Sequence, residues 1–183
     1  MSNFVHIPQF GGMPAPMSAT GTDQQFELGL EVWARDMGQT SPVSTLAATA
    51  TAPTLGGGLF RYVRGSDVGT AGLVVYISND SAVKLGAAQN APVGIAAGAL
   101  SATNVFGWVQ IQGKCDYARG TGVALTSGNP LYVGTAAGFV VSGSVAGSQI
   151  RNMSCYANYT SSQSLSMSLQ LERPWVYSTG ASI

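Results

Sequence analysis

Hydrophobic and polar residues alternate with a period of two over much of this chain. Between residues 165 and 172, Leu or Met occupies every second position, and Ser, Gln or Glu occupies the positions between them. Successive side chains of a β-strand point to opposite faces, so this pattern is typical of a strand with one buried face. Residues 26–32 and 105–112 alternate in the same way. We therefore predict three strands, and we expect one core to contain Leu165, Met167, Leu169, Leu171, Val109 and Ile111.

Shorter apolar segments of strand length fill much of the remaining chain. They are residues 59–63, 73–77, 93–96, 123–125, 131–133, 139–141 and 153–157. Between them lie turn-forming sequences rich in Gly, Asn, Asp and Pro, at 79–80, 90–92, 120–122 and 127–130. Strands about 8 to 12 residues apart with turns between them are typical of an all-β sandwich or barrel. The sequence therefore predicts a single domain of that all-β class.

Three stretches without this alternation set the predicted boundaries. Residues 1–23 contain three prolines, several Phe and Met side chains and the single charge of Asp23. A solvated tail would carry more charge, so we expect an extended N-terminal arm that docks on another surface. Residues 40–58 form a long Ala-, Thr- and Gly-rich loop without a charged group. The β domain is then predicted to span residues 24–172, followed by a C-terminal tail at 173–183.

Charge is scarce in this chain. Only 9% of the residues are charged, and eight basic and eight acidic side chains give a formal net charge of zero. Typical globular domains are about 25% charged, and proteins without net charge associate readily. This composition favours a subunit whose surface is covered by other protein. The alternative is a surface of uncharged polar residues.

Enzyme, metal and cofactor chemistry has little support in this sequence. His6 is the only histidine and lies in the predicted arm, so a histidine-dependent catalytic group would need that arm to deliver its base. Cys115 and Cys155 are too widely spaced for a zinc motif; we expect buried free thiols, and their pairing stays open. Glu27 and Glu31 are expected on the solvent or interface face of one strand. We predict no catalytic residue, no cofactor and no metal.

Nucleic acid and membrane partners are also disfavoured. Residues 56–58 are three glycines followed by Leu-Phe-Arg, which indicates a hinge because a phosphate-binding loop would continue with Gly-Lys-Ser or Gly-Lys-Thr. The basic residues are dispersed and balanced by acids, unlike a nucleic-acid-binding patch. No apolar run approaches the roughly 20 residues that span a bilayer, and the N-terminus has no features of a secretory signal.

Aromatic and Met side chains are the predicted partner-binding residues, because interfaces are enriched in them. The candidates come from the arm, the β domain and the tail, and they are Phe4, Phe10, Met13, Met17, Trp33, Trp108, Trp175 and Tyr177. The three tryptophans could instead stack on sugars, as in a carbohydrate-binding module. Core or interface packing is the commoner role of aromatic residues in all-β proteins.

Short motifs follow one another in a distinctive order in the middle of the chain. Ala-Pro-Val-Gly-Ile-Ala at 91–96 is followed by Gly-Trp-Val-Gln-Ile-Gln-Gly at 107–113 and by Gly-Asn-Pro-Leu-Tyr-Val at 128–133. In this order, the segment from Leu59 to Tyr156 resembles the β-barrel of tailed-phage capsid decoration (cement) proteins. The resemblance covers somewhat more than half of the chain. The arm, the Ala/Thr loop and the tail have no counterpart in it.

This resemblance implies a virion structural protein with a mechanical role. Such a protein is made in the host cytoplasm and binds the outer capsid surface, where it bridges neighbouring major capsid subunits. We expect a homotrimer, with the major capsid protein as its partner. The alternative is a tail or head-fibre component that binds host surface glycans.

Overall fold

The computed structural model describes residues 4–6, 20–36, 57–86, 90–120, 124–134, 138–142, 148–156, 158–159 and 165–178. Every regular element in these ranges is a β-strand, which confirms the predicted all-β class. The same ranges contain no helix long and apolar enough to cross a membrane.

Eleven strands occur in the described ranges, and most of their pairings are antiparallel. They are β1 (Phe4–His6), β2 (Glu31–Asp36), β3 (Gly57–Ser66), β4 (Val74–Ser78), β5 (Ser81–Lys84), β6 (Ala91–Ala96), β7 (Phe106–Gly120), β8 (Pro130–Val133), β9 (Val140–Ser142), β10 (Ser148–Cys155) and β11 (Leu165–Ser178). Two pairings are parallel: β3 with β5, and β7 with β9 at Gly120 and Val140. Most of the apolar segments identified in the sequence are therefore strands.

The strand pairings close on themselves in two circuits that share β7. In the first circuit, β3 pairs with β5, then β4, β6 and β7 follow, and β7 returns to β3. In the second circuit, β7 pairs with β11, then β10, β8 and β9 follow, and β9 meets β7 at Gly120. The long strands β7 and β11 hold the two circuits together, and β11 also pairs with β6.

Two hydrophobic cores lie on opposite faces of the shared strand β7. The smaller core comes from the first circuit and its loops: Leu59, Val63, Val68, Leu73, Val75, Ile77, Ala82, Ala96, Leu100, Val109 and Ile111. The larger core contains Trp108, Cys115 and Tyr117 of β7 with most buried residues of the second circuit, including Leu131, Ile150, Met153, Cys155, Met167, Leu169, Leu171 and Val176. Strand β7 therefore forms one wall of each core.

The prediction of one shared core for β11 and residues 109 and 111 is wrong. Leu169 lies in the larger core, whereas Val109 and Ile111 lie in the smaller one. The prediction took residues 105–112 as a strand with one buried face. In the structure, β7 is buried on both faces along residues 107–111. Gln110 is fully buried for the same reason, and its Nε2 donates a hydrogen bond of 3.0 Å to the Lys114 carbonyl.

The predicted strand at residues 26–32 begins later than its alternation suggests. Leu28 and Gly29 form a turn in which the Leu30 amide donates to the Glu27 carbonyl, and Gly29 has a φ of 84° that favours glycine. Strand β2 starts only at Glu31, so Glu27 and Glu31 do not share a strand face.

The predicted boundaries of the arm and the tail do not coincide with the limits of the folded body. Residues 20–23 of the expected arm lie against the body, because Gly21 and Phe106 exchange two backbone hydrogen bonds of 3.1 and 2.8 Å. Residues 173–178 of the expected tail continue β11. Of the loop at 40–58, residues 57 and 58 belong to β3, and 40–56 lie outside the described residues.

Glycine allows β3 and β7 to approach closely at one point. A Cβ atom on Gly58 would lie 1.7 Å from the carbonyl oxygen of Gln112, and one on Gly113 would lie 2.2 Å from the Gly57 carbonyl oxygen. Gly113 also has a φ of 96°. The two backbones therefore fit together here only without side chains.

Candidate interaction surface

The structure separates the three tryptophans predicted to bind a partner. Trp33 of β2 is 53% exposed and Trp175 of β11 is 36% exposed, whereas Trp108 of β7 is 3% exposed. Phe10, Met13 and Met17 lie outside the described residues. The structure describes the backbone positions of Phe4 in β1 and Tyr177 in β11.

Trp108 is a core residue, which corrects its assignment as a partner anchor. Its ring lies 5.0 Å from the Tyr62 ring and 5.4 Å from the Phe26 ring, between centroids. Phe26 also meets Tyr62 edge to face at 5.2 Å, and Phe106 stacks on Tyr62 at 6.4 Å. These four aromatic rings attach the segment before β2 to the face formed by β3 and β7.

An ion network anchors the beginning of β2. Glu31 forms ion pairs with Arg173 of β11 at 2.8 Å and with Arg61 of β3 at 3.6 Å. Arg61 also donates from Nε and Nη2 to one carboxylate oxygen of Asp80, which lies in the turn between β4 and β5. Asp80 has a φ of 57°, so this turn holds a side chain in a conformation rare for residues other than glycine. The network joins four separate parts of the chain at one side of the sheet.

Each exposed tryptophan is close along its strand to one member of the Glu31–Arg173 ion pair. Trp33 is two residues from Glu31 in β2, and Trp175 is two residues from Arg173 in β11. Two residues of strand extend about 6.6 Å, so both indole rings belong to a patch of the size of one protein–protein interface. Trp, Tyr and Arg dominate the binding energy of such interfaces. We call the patch formed by Trp33, Glu31, Arg173 and Trp175 the tryptophan patch.

Strand register extends the patch around Trp175 across four strands. Trp175 lies opposite Arg151 of β10 and opposite Pro92 of β6, and the next residue, Val176, lies opposite buried Ile150 and Ala91. Because partners in an antiparallel pair share a face, Arg151, Trp175 and Pro92 form one row on the outer face. Tyr132 of β8 and Gln149 of β10 form a second row beside it, and the backbone of Tyr177 lies opposite Gln149.

Sequence reasoning missed Tyr132, Gln149 and Arg151 as members of this surface. The polar residues 149 and 151 on either side of Ile150 were the available signal, since they indicate an outer strand face. Their position beside Trp175 depends on the pairing of β10 with β11, which no local pattern encodes.

A third exposed aromatic residue lies just after β10, on the polar face of β7, β10 and β11. Tyr156 is 62% exposed, and the Lys114 Nζ atom lies 5.1 Å from its ring centroid. Lys114 also forms an ion pair of 3.1 Å with Asp116, which accepts a hydrogen bond from the Ser168 hydroxyl. This face combines one aromatic ring with polar groups that bond one another.

Both cysteines are buried thiols that form no disulfide. Cys115 and Cys155 both lie opposite Leu169, on the two strands that flank β11. Two strand spacings separate their Cα atoms by about 9.5 Å, beyond the roughly 7 Å that a disulfide can bridge. Burial raises the pKa of the Cys115 thiol to about 12, so this thiol is a poor nucleophile at neutral pH.

The described ranges contain no group of three or more His, Cys, Asp or Glu side chains able to hold a metal ion. In the four-residue ion network each carboxylate is paired with an arginine. These ion pairs link separate strands of the sheet. The features that stand out chemically are therefore exposed aromatic side chains on a rigid sheet.

Known proteins give no guide to this surface: no family model, curated protein or solved structure matches the chain.

Proposed function

We propose that this chain is a structural protein of a tailed-phage virion that binds the outer surface of the capsid and bridges neighbouring major capsid subunits. The observation that carries the proposal is the tryptophan patch, two exposed indole rings held on a rigid all-β body with few charges. The motifs that resemble decoration proteins support it, because residues 91–96, 107–113 and 130–133 lie in β6, β7 and β8.

The proposed action is mechanical. Packaged DNA presses outward on a capsid, and a protein attached to several shell subunits opposes their separation. As a homotrimer, the protein would make its second and third contacts at high effective concentration, so modest individual contacts give strong attachment. The rigid, doubly closed sheet suits this role because it transmits force between contacts without rearranging.

The direct test measures binding to capsids that lack the protein. Trp33→Ala and Trp175→Ala are each expected to weaken binding at least 10-fold, because truncation of a central interface tryptophan costs about 2 kcal/mol or more. Tyr156→Ala is the matched control, since Tyr156 is also exposed but meets β11 at Ser168, seven residues from Trp175. Equal binding by all four proteins would overturn the role of the patch.

A second experiment tests the stabilising function itself. Particles without the protein are expected to assemble and then to release DNA at a lower temperature than complete particles, because a ligand of the closed shell stabilises it by mass action. Removal of residues 1–19 is expected to weaken attachment and to leave the sheet folded. Equal heat resistance with and without the protein would contradict the proposal.

Binding of host glycans by a tail or head-fibre component is the second candidate. The observation that favours it is the exposure of Trp33 and Trp175, because indole rings stack on sugars as well as on protein. A glycan array separates the candidates: saturable binding to one glycan class, lost in the Trp175→Ala variant, together with unchanged heat resistance of particles, would support this second function.

A further inference from the structure

The outer edge of β2 is only partly paired in the described ranges. The Leu30 carbonyl accepts a hydrogen bond from the Tyr62 amide, so the even-numbered residues of β2 direct their backbone groups to β3. In an antiparallel ladder the alternate residues point the other way. Glu31, Trp33 and Arg35 therefore direct their backbone groups to the outer edge, where β1 pairs only with residues 34–36.

The part of this edge at Glu31 and Trp33 is poorly protected against association, because the Glu31 carboxylate is bound by Arg61 and Arg173. The other charged residues of β2, Arg35 and Asp36, lie where β1 pairs. Natural edge strands are protected by prolines, bulges or outward-pointing lysines. Here Trp33 is 53% exposed and Leu30, just before the strand, is 39% exposed. Exposed apolar side chains beside backbone groups that have no strand partner among the described residues indicate an edge that another strand covers.

The strand that pairs with this edge shows what the edge accepts. Strand β1 contributes three residues, Phe4–His6, in antiparallel register with Ala34–Asp36. A pairing of three residues is weak by itself. Residues 7–20 connect β1 to Gly21, which is bonded to Phe106, and they would span about 45 Å when extended, far enough to place β1 on a neighbouring molecule.

We propose that β1 is exchanged between copies of this chain, so that β1 of each copy pairs with the β2 edge of the next. The occupant of the edge is thus a second copy. In a closed ring each copy donates one strand and accepts one, so two short pairings must break together for a subunit to leave. The inference concerns contacts between copies and does not depend on capsid binding.

Disulfide trapping between two differently tagged chains tests the exchange. One chain carries Phe4→Cys and the other Asp36→Cys, because these residues are register partners and their expected Cα separation of about 4.5 to 5.5 Å suits a disulfide. The chains are co-expressed, oxidised, and separated on a non-reducing gel. The native thiols are buried and do not compete.

Exchange predicts a mixed dimer of the two tagged chains, with the 4–36 disulfide identified by mass spectrometry. Phe4→Cys paired with Thr126→Cys is the matched control, since Thr126 is exposed in the turn before β8, and it is expected to give at least 10-fold less mixed dimer. A chain carrying both Phe4→Cys and Asp36→Cys should then form covalent oligomers.

Pairing within one chain would instead give a cross-linked monomer from the double variant and no more mixed dimer than the control, which overturns the proposal. If the Asp36→Cys chain does not fold, the register partners Val5→Cys and Arg35→Cys provide the same comparison. Because no capsid is present, this result is independent of the test of the proposed function.

Discussion

Arg173 and Glu31 form an ion pair of 2.8 Å between β11 and β2, two strands that do not pair with each other. Arg173 has a φ of 51°, and it lies where β11 stops pairing with β7 at Glu172 and starts pairing with β6 at Trp175. The left-handed residue thus bends β11 from one circuit to the other. Its side chain reaches Glu31 from that bend and fixes the position of the edge strand.

Arg61 is expected to contribute more to stability than Arg173. Arg61 bonds two carboxylates and its side chain is 33% exposed, whereas Arg173 bonds one carboxylate among the described residues, that of Glu31, and is 59% exposed. Urea unfolding should show a loss of about 1 to 2 kcal/mol for Arg61→Met and less than about 1 kcal/mol for Arg173→Met. Equal losses would mean that the bond to Asp80 contributes little.

Leu169 connects the strands of the second circuit at their centre. It is fully buried in the larger core and lies between Cys115 and Cys155 in the sheet. Leu169→Ala should lower the free energy of unfolding by about 2 to 5 kcal/mol, through lost burial and the cavity that remains. Thr126→Ala, at an exposed turn, should change it by less than about 0.5 kcal/mol.

Gly58→Ala should disrupt the close contact between β3 and β7. The added Cβ would lie 1.7 Å from the Gln112 carbonyl oxygen, a backbone atom that cannot turn aside. We expect a loss of more than about 3 kcal/mol, beyond the usual range of single substitutions, or a failure to fold. Gly69→Ala is the matched control, because nothing lies within 4 Å of its Cβ position. Similar stability of the two variants, measured by thermal and urea unfolding, would contradict this account.

Local pattern in the sequence predicted the all-β class and most strands. The alternation in residues 165–171 and the turn signal at Asn79 and Asp80, both of which have positive φ, depend only on neighbours along the chain. The start of β2 was misplaced because the turn at Gly29 interrupts a sequence that still alternates. Periodicity reflects the polarity of the side chains and gives no sign of a local turn.

Properties that depend on which strands meet could not be predicted. Trp108 was expected at an interface, but its strand is covered on both faces and the residue is buried. Conversely, Arg151 and Tyr132 were not linked to Trp175, because their proximity follows from the pairing of β8, β10 and β11. Register across distant strands, which decides the composition of the candidate surface, has no signature in a single sequence.

The buried thiol of Cys115 should make stability fall with rising pH. Burial raises its pKa from 9.0 to about 12, and the nearby Asp116 charge acts in the same direction. Burial also raises the pKa of Tyr117 well above its usual value. Above pH 9 the unfolded chain releases the thiol proton while the folded chain retains it, so the unfolded state is favoured until the folded pKa is reached.

The contribution of Cys115 can be isolated by comparison with Cys115→Ala. Between pH 8 and 10.5 the wild-type chain should lose about 2 kcal/mol more unfolding free energy than the variant, as expected for one proton released only by the unfolded state. Burial is the largest cause of the raised Tyr117 pKa and remains in the variant, so most of the Tyr117 contribution is common to both chains. Parallel pH profiles, measured by urea unfolding at each pH, would mean that the thiol ionises as readily in the folded protein as in the unfolded chain.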